Sequence, residues 1–234
     1  MDVKVLGSSS KGNSYLLSDG HTTILIECGL PFMELKKRSQ FMIPSHIDGC
    51  LVTHEHMDHS KAVKELLNFG VDVYALESVF ESHNVKRHHR AHIINPNDES
   101  SSFNIGSFII TAYEMFHDVP CVGYLIYSGY TDELLLFATD TRLIKYAFKS
   151  LDYIMIEANY DIDLVNDDAQ LKRLVQSHMS IENTIDYLLK LDLSSVKEIY
   201  LMHLSSRNSN AKDFKKRVQI ATGKPVIICD ERGG

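Results

Sequence analysis

Residues 53–59 read Thr-His-Glu-His-Met-Asp-His, and the rest of the chain is read outward from them. Four candidate metal ligands, His54, His56, Asp58 and His59, fall within six residues. They follow a short apolar run at 50–53 (CLVT), which reads as a buried strand. They precede SKAVKELLNFG at 60–70, whose spacing predicts a helix with Ser60 as N-cap and Gly70 past its end. In extended chain His54 and His56 face the same side, and Asp58 and His59 follow in the turn. Imidazole with carboxylate suits Zn²⁺, Mn²⁺ or Fe. A solvated loop that happens to contain histidine is the alternative. It would suit a lone histidine better than this H-x-H-x-D-H pattern at a strand end.

Upstream, VKVLG, SYLLS and TTILIEC read as strands, the last two joined by the turn SDGH. Downstream, residues 71–75 are strand-like and 77–84 form a short helix. Residues 107–116, 122–128 and 134–138 read as consecutive strands. DYIMIEA, VKEIYLMHL and KPVIIC add three more, interleaved with helices over 167–176, 181–191 and 210–220. No Pro- or Gly-rich linker interrupts this order. The expectation is one α/β (α+β) unit over 1–234, with sheets inside and helices outside.

Acidic residues number 31 and basic residues 24 in 234, for a net charge of −7. Such a chain has no global attraction for nucleic acid, whose binding draws on Lys and Arg. The four cysteines show no C-x-x-C pair and read as buried thiols of a reducing compartment. No apolar leader follows Met1, and no run approaches about 18 apolar residues. The expectation is a cytoplasmic protein with no membrane partner. Twelve histidines are the compositional outlier.

HEHMDH resembles the H-x-H-x-D-H motif of the metallo-β-lactamase fold superfamily, which implies a four-layer αββα sandwich. His117, Asp140 and His203 each end an apolar run, and the family's order supplies their assignment. The resemblance implies two divalent metal ions, Zn or Mn. His54, His56 and His117 would hold one; Asp58, His59 and His203 would hold the other; Asp140 would bridge them. Asp58 is also expected to take part in catalysis. Glu27 stands where the family often has Asp, and would support the site from behind the ligands.

VLGSSSKGNSYLL, EANYD, SHMSIENT and HLSSRNSN resemble the YycJ/WalJ-like branch over nearly the whole chain. That branch includes bacterial DNA exonucleases and phage anti-Pycsar proteins that cleave cyclic mononucleotides. It implies a metal-dependent phosphodiesterase in which the two ions activate a water, and relatives imply a homodimer. If phage-encoded, the chain would act in the bacterial host cytoplasm. Ser9, Ser10, Lys11 and Asn13 are read as substrate-binding, or as a simple connection; Ser206 and Asn208 as approaching substrate or building a turn. His178, beside the N-cap Ser180, is read as the proton donor to the leaving oxygen or as a structural histidine. His83, His88, His89 and His92, with Lys86, Arg87 and Arg90, form the one basic tract, read as a solvated segment or a phosphate or subunit contact. His21 and His46 are expected at the surface, Cys28 and Cys50 in the core.

Three functions follow. The first is hydrolysis of 3′,5′-cyclic mononucleotides of the cCMP and cUMP type. The second is a nuclease acting on nucleic acid ends. The third is a non-catalytic metal-binding protein, which a full set of seven ligands disfavours.

Overall fold

The computed structural model describes residues 1–96 and 102–230. One sheet holds β1 (Asp2–Gly7), β2 (Ser14–Ser18), β3 (Thr23–Ile26), β4 (Gly49–Leu51), β5 (Val73–Ala75) and β6 (Ala91–Ile93), adjacent in that order. The other holds β7 (Phe103–Ile105), β8 (Phe108–Met115), β9 (Cys121–Ser128), β10 (Glu133–Ala138), β11 (Tyr153–Glu157), β12 (Glu198–Met202) and β13 (Val226–Ile228), also in chain order. The first sheet is accompanied by α1 (Phe32–Arg38), α2 (Met57–Ser60), α3 (Val63–Asn68) and α4 (Glu77–Ser82). The second is accompanied by α5 (Asp168–Ser177), α6 (Ile181–Leu188) and α7 (Ala211–Thr222).

The period of two along each strand builds the layers. Tyr15, Leu17, Ile24 and Ile26 point into a shared core with Tyr153, Met155, Tyr200 and Met202 of the opposite sheet. Their neighbours face outward. Leu16 and Leu25 pack with Leu35 of α1, Leu66 of α3 and Phe80 of α4. Ile154, Ile156 and Leu201 pack with Ile181 of α6 and Phe214 of α7. Strands buried on both faces read as continuous apolar runs, which is why ILIEC and IMIEA lack alternation. The result is the expected αββα order.

The local differences concern starts and short edges. The helix after His56 begins at Met57, three residues before the expected Ser60, and a second helix follows as α3. Ser60 ends α2, and its hydroxyl donates to the carbonyls of Glu55 (2.9 Å) and His56 (3.0 Å) instead of capping. β6 and β7, three residues each, are too short to show a period. All four cysteines are free and buried, with Cys28 and Cys50 in the core under α1 and α3. Among the described residues no helix is long and apolar enough to cross a membrane.

Asp19, in the β2–β3 turn, ties the two sheets together. Its Oδ1 accepts from the amides of His21 (3.0 Å) and Thr22 (2.8 Å). Its Oδ2 accepts from the hydroxyls of Ser107 (2.5 Å) and Ser128 (2.6 Å) in the second sheet. Burial acts to raise its pKa, but the Ser107 and Ser128 hydroxyls and the two amides bring it from 3.8 down to about 2. A depressed carboxyl stabilises fully above its unfolded value and loses that contribution as pH falls through 4 towards 2. Asp19→Ala is therefore expected to cost about 2–3 kcal/mol near pH 7. Urea unfolding of both proteins should show the gap closing below pH 4; a gap of constant size down to pH 2 would contradict this.

Candidate metal centre

The strand directions bring the expected ligands to one edge. β10, β11 and β12 run parallel, and β8 runs the same way because β9 is antiparallel to both β8 and β10. Their C-terminal ends deliver His117, Asp140, Glu157 and His203 to the same side, where open α/β sheets hold ligands. The segment after β4 supplies His54, His56, Asp58 and His59 from the facing sheet. Glu27 (φ 63°), Asp140 (φ 46°) and His203 (φ 53°) all adopt left-handed backbone, costing about 1–3 kcal/mol each, as strained residues at working sites do.

Two groups of donors result. His54 Nε2 lies 3.1 Å from His56 Nδ1, which lies 3.3 Å from His117 Nε2. Asp58 Oδ2 lies 3.5 Å from both His59 Nε2 and His203 Nε2. Asp140 Oδ2 stands between the groups, 3.4 Å from His59 Nε2, 3.8 Å from His117 Nε2 and 3.9 Å from His54 Nε2. All seven sequence-derived ligand candidates thus converge within a few ångströms.

The backbone beneath α2 is held closely. Asn13 N donates to Asp58 O (2.8 Å), and Cys28 N donates to His59 O (2.8 Å). A Cβ at Gly29 would lie 1.6 Å from the Asp58 carbonyl oxygen, so only glycine permits this approach. Glu27, fully buried, places Oε2 3.5 Å from His59 Nδ1 and accepts from Thr53 N (3.3 Å) through Oε1.

The electrostatics fit cations. Burial lowers the pKa values of His54 and His117, leaving them neutral with lone pairs available. Burial opposes charge on Asp58 and Asp140 too, yet the facing imidazoles of His203 and His59 hold both carboxyls well below their usual range. The same contacts act in reverse. Against burial, Asp140 and Glu27 hold His59 well above its usual value, and Asp140, Asp58 and Glu157 push His203 up to about 10. Protons on two imidazoles thus offset a knot of buried carboxylates, a role divalent ions fill on displacing them. His203 Nε2, His59 Nδ1 and Glu27 Oε2 are buried without a hydrogen-bond partner, as donors awaiting an ion or its support would be. The nitrogen and oxygen donor set suits transition-metal dications.

His178 borders this cluster, with its ring centroid 5.4 Å from that of His117 and 5.5 Å from that of His203. Its Nδ1 lies 2.6 Å from Glu157 Oε1, which also stands 3.1 Å from His203 Nδ1. Burial disfavours the charged imidazole, but Glu157 outweighs it and raises the His178 pKa. Glu157, fully buried, opens EANYD as the last residue of β11, and its signal in the sequence is a single acidic residue closing an otherwise apolar strand. Asn159 in the same stretch bonds His203 Nδ1 at 3.2 Å. Asp118, also unforeseen, sets Oδ1 3.0 Å from His117 Nε2 and 3.5 Å from His56 Nε2.

A cavity of about 360 Å³ opens beside His178 and His203 and is bordered by Ser10, Ser206 and Asn208. Of the other residues expected to bind substrate, Ser9 and Asn13 are buried and turn inward. Asn13 Nδ2 meets Ser9 O (3.1 Å) and His59 Nε2 (3.1 Å), and Ser9 Oγ accepts from Lys11 N (3.2 Å). They brace α2 and the loop. Lys11 is exposed and does not border this cavity. The basic tract is largely neutralised: Lys86 pairs with Glu77 (2.5 Å) and Glu81 (2.8 Å), and Arg90 and His92 both reach Asp72 at 2.7 Å. His83 bonds Ser60 Oγ (2.9 Å), and the His88 and His89 rings stack at 4.7 Å. His21 and His46 are at the surface.

Residues 22–204 match the family described as Beta-lactamase superfamily domain. The exodeoxyribonuclease WalJ of Streptococcus pneumoniae is 25% identical over 229 residues, 88% of this chain and 82% of its own. The exodeoxyribonuclease YycJ of Bacillus anthracis is 26% identical over 236 residues, 92% and 86% respectively. Among solved structures, the metallo-β-lactamase fold protein YhfI of Bacillus subtilis superposes with a TM-score of 0.77 at 18% identity, covering 99% of this chain and 98% of that one. With its fold, its convergent His/Asp cluster and this match in hand, the chain belongs to the β-lactamase superfamily, as a metallo-β-lactamase-fold hydrolase of the YycJ/WalJ-like branch.

Proposed function

We propose that the chain, as one domain over 1–234, is a metal-dependent phosphodiesterase that cleaves nucleotide phosphodiesters. The observation that carries this is Asp140 placed between two triads of donors, with His178, paired to the buried Glu157, on the wall of an adjoining cavity. His54, His56 and His117 would hold one divalent ion, Zn or Mn; Asp58, His59 and His203 the second; Asp140 would touch both. Two such ions lower the pKa of water and offset charge on phosphate oxygens. Glu157 holds His178 through Nδ1, which leaves Nε2 as the nitrogen available to a ligand in the cavity that His178 borders. In hydrolysis the water oxygen joins phosphorus, the P–O bond to the leaving group breaks, and His178 supplies the proton to the departing alkoxide. Glu27 Oε2 stands 3.5 Å from His59 Nδ1, where it would help to orient that ring once the centre is filled.

Two substrate classes fit this chemistry. Ends of DNA strands are our conclusion, supported by the names of the WalJ and YycJ relatives. The second reading, 3′,5′-cyclic mononucleotides in an anti-Pycsar role, draws on the charge of −7 and on a cavity sized for one small ligand. A homodimer in the cytoplasm rests on the resemblance alone. Protein loaded with Mn²⁺ or Zn²⁺ is expected to shorten end-labelled DNA, with activity removed by a chelator. Attack on cyclic nucleotides without attack on DNA would reverse the order, and attack on neither would sink the phosphodiesterase reading.

A further inference from the structure

Two guanidinium groups border the cavity beside His178 and His203, and among the described residues no carboxylate meets them. Arg173 projects from α5 and Arg207 from the turn after β12, 34 positions apart in the chain and both exposed. Both border the cavity of about 360 Å³ that reaches His178 and His203. Both also border an adjoining cavity of about 400 Å³ with Gln170 and Asp167. They therefore line a continuous trough leading away from the metal centre. Among the described residues neither forms an ion pair; Arg87 and Arg142 are likewise without one, whereas Arg38, Arg90 and Arg217 each meet a carboxylate within 4 Å, and of the four unpaired arginines only Arg173 and Arg207 border these cavities. The nearby Asp167 carboxylate is engaged as the α5 cap, accepting from the amides of Ala169 (2.8 Å) and Gln170 (3.2 Å). Two like charges sharing one trough are best accommodated by an anion between them, and planar guanidinium forks match phosphate oxygens.

Resting on the phosphodiesterase reading above, we propose that Arg173 and Arg207 bind a second, uncleaved phosphate of the substrate. The scissile phosphate belongs to the ligand cluster, so a nucleotide with one phosphate leaves the guanidiniums unanswered. A strand end, or a nucleotide phosphorylated on both sides of its sugar, fills both places. The pair thus selects nucleotide chains over cyclic mononucleotides, and supplies the local positive charge that the whole chain lacks.

The test uses thymidine 5′-(p-nitrophenyl phosphate) with and without a 3′-phosphate, together with the isomeric thymidine 3′-(p-nitrophenyl phosphate) with and without a 5′-phosphate. Within each pair the same P–O bond breaks and the same p-nitrophenolate leaves, so any difference reports the extra phosphate. The full-length protein with Mn²⁺ is expected to favour the bisphosphorylated member of at least one pair by about 20-fold in kcat/KM. The double variant Arg173→Ala/Arg207→Ala should bring that ratio within about threefold. Arg173→Lys/Arg207→Lys should keep part of the preference, which a folding defect would not. Equal rates on both members of both pairs, or a preference that survives in the alanine double variant, would overturn the proposal and leave the phosphodiesterase reading standing. Hydrolysis of none of the four would take down both.

Discussion

Asp140→Asn is expected to lower kcat on DNA at least about a thousandfold, near 4 kcal/mol of transition-state stabilisation, while the chain stays folded. The substitution keeps the shape of the side chain and removes its charge. Asp140 Oδ2 is the atom shared between the donor groups, within 3.9 Å of three imidazole nitrogens. Oδ1 lies 3.1 Å from His203 Nδ1 and accepts from the Thr139 hydroxyl at 2.7 Å. An amide there offers one neutral oxygen and turns an NH₂ towards the other partners, so the one negative charge that faces both donor groups is lost. Elemental analysis after dialysis should show at least one ion fewer per chain than the wild type. Full metal content together with wild-type turnover would refute the bridging role.

His178→Ala is expected to act differently, on the leaving group and not on metal content. An alkoxide departs poorly without a proton, and general acids commonly contribute about 10²–10⁴-fold. p-Nitrophenolate departs without help. The variant should therefore lose about 10²–10³-fold on DNA and far less on bis(p-nitrophenyl) phosphate, with its metal complement intact. Equal losses on both substrates would make His178 a prop for its neighbours His117 and His203, whose rings lie within 5.5 Å.

Much of this centre was legible because its ligands obey a local rule. Each of His54, His117, Asp140 and His203 follows an apolar run, and a polar residue there has an edge to point from. The layer order was legible for the same reason, since runs buried on both faces leave no alternation. What stayed hidden depends on contacts distant in sequence. Glu157 faces His178 across 21 positions, and Arg173 and Arg207 border the same cavity from 34 positions apart, with no spacing to announce either. Ser60 misled because a hydroxyl before an apolar stretch is a good cap in general; here α2 had already begun at Met57. Ser9 and Asn13 misled because a Gly/Ser-rich loop looks open in sequence, whereas this one is folded under α2.

One contact ties the metal centre to segments far apart in the chain. The amide of His203 donates to the hydroxyl of Ser8 at 2.9 Å, joining the loop after β1 to the end of β12 across 195 positions. A nascent chain that has not yet made β12 lacks His203 and the parallel neighbour of β11. It carries the HEHMDH loop but only part of the centre. On the proposal above, a chain cut before β12 would keep His54, His56 and His117 together yet lose one of the three residues of the second set, so filling of that place depends on the late part of the fold.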